Sequence, residues 1–203
     1  DTVLLLDICR ADYSFCELNS SWQQIVGEMV CPACSEHGRF VRHGTYAKYY
    51  YAEQIRILRL RCRGCRRTHA LLPSFSLPGS SIGTEEAEAY LVARDRGVGR
   101  GRAQRQLEAL GVGGEYGKRL ERMLVVAVSR GKALWADPEA NELSGLTWIA
   151  ALTGSSERPL WSLNRLSLER GCNCLCFCRA SILRFTFRSA STRGSHNRGS
   201  PAR

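Results

Sequence analysis

An α+β fold is predicted, with a small antiparallel β unit ahead of a helical one, and three observations predict it. Two C-x2-C pairs, Cys31-Pro-Ala-Cys34 and Cys62-Arg-Gly-Cys65, stand 27 residues apart. Segments of period-two apolar alternation fill and follow that gap, and from Thr84 onward the apolar period becomes helical. The 203 residues are 44% hydrophobic and 24% charged, an ordinary globular composition that excludes collagen-like and wholly disordered classes. The longest apolar runs, Val3 to Leu6 and Met123 to Val128, fall far short of the roughly 18 residues that span a bilayer.

Residues 1 to 28 are acidic and read as an N-terminal cover segment, with Trp22, Ile25 and Val26 on a short helix lying over the β unit. Residues 29 to 78 hold that unit. Phe40 to His43 reads as one strand and Tyr46 to Tyr51 as a second. Gln54 to Arg61 reads as a third that runs into the second cysteine pair. Within it Ile55, Ile57, Leu58 and Leu60 alternate, slip by one and alternate again, which predicts a bulge near Ile57. Thr68 to Leu72 returns as a further strand and stops at Pro73.

A tight turn carrying two thiolates offers two corners of a tetrahedron, and a second such turn completes a four-cysteine site. Cys31, Cys34, Cys62 and Cys65 are therefore the candidate ligands of one structural Zn2+. A knuckle, a hairpin, a second knuckle and a returning strand make a zinc ribbon. Four thiolates close the coordination sphere and leave no position for water or substrate, so such an ion holds a fold and does no hydrolysis. His37, His43 and His69 are near enough in sequence to replace a cysteine and are read instead as hydrogen-bonding or phosphate-facing groups.

Residues 79 to 132 read as a helical module. Thr84 is the expected N-cap of a first helix that Gly97 ends, Arg102 to Leu110 is a second, and a third starts at Gly114. Tyr116, Leu120, Met123, Leu124 and Ala127 make one apolar stripe on the third. Two helices joined by a glycine turn, with Lys118, Arg119 and Arg122 on the outer side, follow the plan of a helix-turn-helix. Leu107 and Gly117 depart from it, because a small residue and an apolar one are usual at those places.

Residues 133 to 170 contain Trp135, Trp148 and Trp161 and no recognisable site, and are left unassigned. Residues 171 to 203 form a Cys/Arg/Ser-rich tail expected to be poorly ordered. On a strand, Cys172, Cys174, Cys176 and Cys178 would share one face at steps of about 6.6 Å, as soft-metal ligands or by chance. Residues 1 to 10 show no basic stretch leading into a long apolar run, so a reducing, cytoplasmic setting is expected, in which paired cysteines point to metal.

The net charge is +10, and 26 of the 29 cationic side chains are arginine. GC-rich coding gives this bias, and so does a need to grip phosphate or guanine edges. Position separates the two readings: residues 39 to 67 carry +8 and residues 94 to 132 carry +6, while the intervening blocks are acidic. Polyanion binding by the basic blocks follows. The candidate DNA contacts are Arg42, His43, Lys48, Arg59, Arg61, Arg63, Arg66 and Arg67 in the β unit, and Arg102, Arg105, Lys118, Arg119 and Arg122 in the helical one.

The C-P-A-C pair, the R-H-G-T-Y piece at Arg42 to Tyr46, and the run from Ile55 to Pro73 with the helical segment after it resemble a zinc-ribbon family of insertion-sequence reading frames. That family is similar to the zinc-binding N-terminal region of transposases, and the resemblance covers roughly residues 28 to 130. It implies zinc-dependent binding of duplex DNA in a mobile-element setting, with a transposase catalytic subunit as a further partner. It supplies no catalysis. A transposase nuclease needs carboxylates on an α/β scaffold to hold two metal ions, and after the helices only Asp137, Glu139, Glu142, Glu157 and Glu169 remain. A non-enzyme is expected. The alternative is an RNA-binding or protein-interaction zinc ribbon without DNA sequence specificity.

Overall fold

The computed structural model describes residues 2–135, 142–172 and 174–176. In chain order its elements are β1 (Thr2–Leu6), α1 (Phe15–Val26), β2 (Phe40–Tyr50), β3 (Glu53–Cys62), β4 (Thr68–Pro73), α2 (Thr84–Asp95), α3 (Arg100–Glu108), α4 (Tyr116–Leu134), α5 (Gly145–Thr153) and α6 (Pro159–Glu169). The strands form one sheet in the order β1-β4-β3-β2. The expected antiparallel hairpin and returning strand are there, but the strands read at Phe40 to His43 and Tyr46 to Tyr51 are one continuous strand, β2, and β1 adds a parallel edge to β4, so the sheet is mixed.

Strand β3 is central and buried on both faces. Ile55 and Ile57 face a cluster with Val3, Ala70, Leu72 and Phe75. Leu58, Leu60 and Cys62 face the opposite cluster with Leu4, Phe40, Leu71, and Leu18 and Val26 of α1. The slip in the apolar pattern is therefore a strand whose large side chains change face, not a bulge. The irregularity lies on the partner strand, where the pairing shifts between Arg42 and Gly44 and His43 is the extra residue. The expected cover helix is α1, which starts with Ser14 Oγ accepting from the Glu17 amide at 3.4 Å.

The helices share a second core in which Tyr90, Leu107, Leu120, Trp148, Ile149, Leu160 and Leu163 are buried. The stripe read on the third helix is this core's α4 face: Leu120, Leu124 and Ala127 are buried, and Tyr116 and Met123 partly so. Gly117 departs from the helix-turn-helix pattern for a local reason. A Cβ there would lie 2.3 Å from Tyr90 Oη and 2.6 Å from Gln104 Oε1, and Gln104 Oε1 accepts the Gly117 amide at 3.0 Å. At Gly131 a Cβ would lie 2.1 Å from Trp148. Helix α4 thus packs by backbone at both ends.

Thr84 does not cap α2. Gly83 takes that place, and the Thr84 hydroxyl donates to the Ser74 carbonyl at 2.7 Å. The connection between α3 and α4 is seven residues, 109 to 115, against the three or four of a helix-turn-helix. The stretch left unassigned supplies α5 and α6. Helix α6 begins against Glu88 of α2, whose Oε1 accepts the Leu160 and Trp161 amides at 2.9 and 3.1 Å. Beyond it, Cys174 is buried in the sheet cluster and Cys176 in the helical core, where Asn164 Oδ1 accepts the Cys176 amide at 2.8 Å. These two cysteines therefore serve different cores and do not share a strand face. Cys178 and residues 189–203 lie outside the described residues.

Candidate metal centre and basic surface

The sheet brings together the four cysteines named from spacing. Their sulfur atoms all lie within 4.8 Å of one another. The Cys31 and Cys65 sulfurs are 3.7 Å apart, and those of Cys34 and Cys62 3.6 Å. A tetrahedral ion with metal–sulfur bonds of about 2.3 Å has sulfur–sulfur edges of about 3.8 Å. The cluster is of that size, so it could hold one metal ion.

The two knuckles are built alike. The Cys31 amide donates to the Glu36 carbonyl at 2.8 Å, and Cys62 to Arg67 at 2.9 Å. Ser35 donates to the Cys31 carbonyl at 2.8 Å, and Arg66 to Cys62 at 3.0 Å. Ser35 and Arg66 both take φ of 61°, the left-handed turn that closes each loop. A Cβ at Gly64 would meet the Glu36 carboxylate at 2.5 Å, so glycine lets the first knuckle's acid lie over the second.

Burial pushes the Cys31 and Cys65 thiols up. Burial acts the same way on Cys34, but the Glu36 amide and the neighbouring thiols outweigh it and bring that thiol down. A bound cation offsets the cost of holding thiolates here. His37 and His43 are exposed and outside the cluster. His69 is fully buried, with Nε2 3.4 Å from Cys31 Sγ and Nδ1 hydrogen-bonded to Thr2 Oγ1. Burial, with nearby positive charge, brings its pKa down to about 4. Thr2 was invisible as part of this site from sequence, since only the β1–β4 register, Thr2 opposite His69, puts the two side by side.

The candidate cations fall into two groups. Arg61, Arg63, Arg66 and Arg67, at and beside the second knuckle, are exposed and form no ion pair among the described residues. Arg59 precedes them on β3, half-buried. Arg42 points to the other face of the sheet, where its Nε donates to Asn19 at 3.1 Å, and His43 stands exposed at the bulge. The second group is Arg102, Arg105 and Arg122, exposed on α3 and α4. Beside them Lys118 pairs with Glu115 at 2.9 Å, and Arg119 donates to the Gly79 carbonyl at 3.0 Å over the Tyr116 ring. Lys48 belongs to neither group. Its ammonium donates to the Ser80 carbonyl at 2.5 Å, and burial lowers its pKa to about 8. Of the four clustered tyrosines, Tyr50 and Tyr51 pack against each other, and Tyr50 packs on Phe75, while Tyr46 and Tyr49 remain exposed.

The molecule is thus a mixed α+β protein with a four-cysteine cluster suited to one metal ion. No helix among the described residues is long and apolar enough to cross a membrane. Comparison with protein-family models, with curated proteins and with solved structures finds no match to the chain.

Proposed function

We propose that the chain is a zinc-dependent DNA-binding protein of the transposase-associated type, with one structural Zn2+ on Cys31, Cys34, Cys62 and Cys65 and no catalysis of its own. The observation that carries this reading is the set of exposed arginines, Arg61, Arg63, Arg66 and Arg67, that have no acidic partner among the described residues and stand on and beside a loop whose shape the thiol cluster fixes. Guanidinium groups so placed suit phosphate and guanine edges. The ion gives the loop the rigidity that positions them.

The helical cations Arg102, Arg105 and Arg122 form the second contact. Helix α4 begins against the Gly79 to Ser81 loop, which also receives Lys48 and Tyr51 from the turn end of the hairpin. The knuckles lie at the opposite end of β3, ten residues away, or about 30 Å. A duplex running from the knuckles to the start of α4 therefore covers about one helical turn, roughly ten base pairs. Tyr49, 60% exposed on β2 opposite Gln54, favours a second reading in which a single strand, RNA included, stacks on the sheet.

Metal analysis and competition binding test the proposal together. The purified chain is expected to carry one zinc, to lose it with Cys62→Ser, and to prefer a duplex of ten or more base pairs over single strands and heparin. A chain without zinc, or one that heparin and single strands titrate as well as duplex, overturns it.

A further inference from the structure

The two knuckles match in their backbone hydrogen bonds, yet differ in one side chain. Cys31 Sγ, fully buried, receives the Ala33 amide at 3.4 Å and faces His69 Nε2, also at 3.4 Å. Cys62, at the equivalent place in the second knuckle, has no side-chain donor other than the cysteines among the described residues. His69 is itself fixed from behind. It stands edge-on to Phe40, with ring centroids 5.6 Å apart, and its Nδ1 meets the hydroxyl of Thr2, its cross-strand neighbour in the parallel β1–β4 pair.

The order of these contacts settles where the ring proton sits. A thiolate accepts hydrogen bonds and does not donate them, so the nitrogen facing Cys31 must carry the hydrogen once the metal is bound. In the neutral ring the other nitrogen is then an acceptor, and the threonine hydroxyl can turn its proton toward it. We infer that His69 is a positioning residue for the metal centre: its Nε2–H donates to the Cys31 thiolate, and Thr2 Oγ1–H donates to Nδ1 and so locks the tautomer that makes this possible. Outer partners of metal ligands hold the ligand's orientation and charge, and losing one typically lowers metal affinity about 10- to 100-fold. Strand β1 is thereby linked to the ion by two hydrogen bonds, although it lies far from the cysteines in sequence.

This inference rests on the four-cysteine metal reading, and the experiment separates the two. Zinc affinity is measured on the full chain by competition with a chelator, and the thiolate-to-metal charge-transfer band is recorded with Co2+, for the wild type, His69→Leu, His69→Gln, Thr2→Val and the double variant Thr2→Val with His69→Leu. His69→Leu keeps bulk without a donor, and His69→Gln carries an amide N–H close to the place of Nε2–H. Leucine is expected to weaken zinc binding about 10- to 100-fold and to move the Co2+ band to lower energy, because the sulfur lone pairs lose a hydrogen bond. Glutamine restores most of both. Thr2→Val gives a smaller loss that does not add to that of His69→Leu, since both act through one chain of contacts. Leucine within twofold of the wild type, or leucine and glutamine equally impaired with an unmoved Co2+ band, overturns the inference and leaves the metal reading standing. A wild-type chain that binds neither ion overturns the metal reading and this inference with it.

Discussion

Replacing Glu88 by glutamine probes the contact that holds α6 against α2. The Glu88 carboxyl is 6% exposed and accepts the amides of Leu160 and Trp161, while Arg158 acts on it as the nearest favourable charge. Burial dominates and raises its pKa from 4.5 to about 7. In the unfolded chain the group releases its proton at the ordinary carboxylate pH. Between the two values the folded protein therefore holds a proton that the unfolded chain has lost, and stability falls as pH rises through that window. A tenfold difference in proton affinity between the folded and unfolded chains is worth about 1.4 kcal/mol, so the full loss is about 3 kcal/mol by pH 8. Glutamine keeps the Oε1 acceptor for both amides and carries no charge. Urea unfolding at pH 5 and pH 8 is the assay. The Glu88→Gln chain is expected to match the wild type at pH 5 and to exceed it by up to about 3 kcal/mol at pH 8, or about 6 to 12 °C in melting temperature. The same difference at both pH values refutes the reasoning, because any effect of shape alone is independent of pH.

Glycine substitutions separate packing from helix propensity. Alanine at Gly117 or Gly131 gains about 1 kcal/mol of propensity, but its Cβ would fall 2.3 Å from Tyr90 Oη or 2.1 Å from Trp148. Overpacking costs about 1 to 3 kcal/mol, so the net effect is a loss of up to about 2 kcal/mol, read as a lower urea midpoint. Gly101→Ala in α3, with nothing within 4 Å of the new Cβ, is expected to stabilise by about 0.5 to 1 kcal/mol. Glu121 joins three helices by accepting from Arg94 at 2.7 Å, Arg100 at 2.7 Å and Tyr90 at 2.9 Å. Burial pushes its carboxyl up, but these donors outweigh it and hold the pKa at about 2. Its contribution is therefore present above pH 4.5 and is lost as pH falls toward 2. Glu121→Gln is expected to cost about 1 to 3 kcal/mol at pH 7 and little at about pH 2 to 3, which acid unfolding curves of the two chains will compare.

The cysteine pairs were legible because a knuckle is local chemistry: its spacing, its turn residues and its flanking strands all sit within a few positions. The apolar stripe of α4 was legible for the same reason, since one helix face is written in consecutive turns. Long-range pairing was not. Strand β1 is a five-residue strand with a short apolar run, Val3 to Leu6, and no turn signal, and its partner begins 67 residues later at His69. Ile57 and Leu58 misled because the period-two rule assumes one buried face, whereas β3 is covered on both. Gly117 looked like a flaw in a helix-turn-helix, but it is what lets Tyr90 and Gln104 reach the α4 backbone. Cys174 and Cys176 gave a regular pattern in sequence and two separate burial sites in space. The tally of cations likewise could not tell Lys48, tied to Ser80, from Arg63, which faces solvent.

The most direct measurement is duplex DNA affinity between 50 and 200 mM salt, with zinc bound and after its removal by chelation. If six to ten phosphates are contacted, affinity of the zinc-bound chain falls about 10³- to 10⁵-fold across that range. Changing Arg61, Arg63, Arg66 and Arg67 together to alanine is expected to reduce the salt slope by about four, and chelation to abolish the part of the binding that depends on the knuckle. Affinity indifferent to salt, or unchanged by chelation and by the loss of all four arginines, contradicts a metal-held basic loop as the nucleic-acid contact.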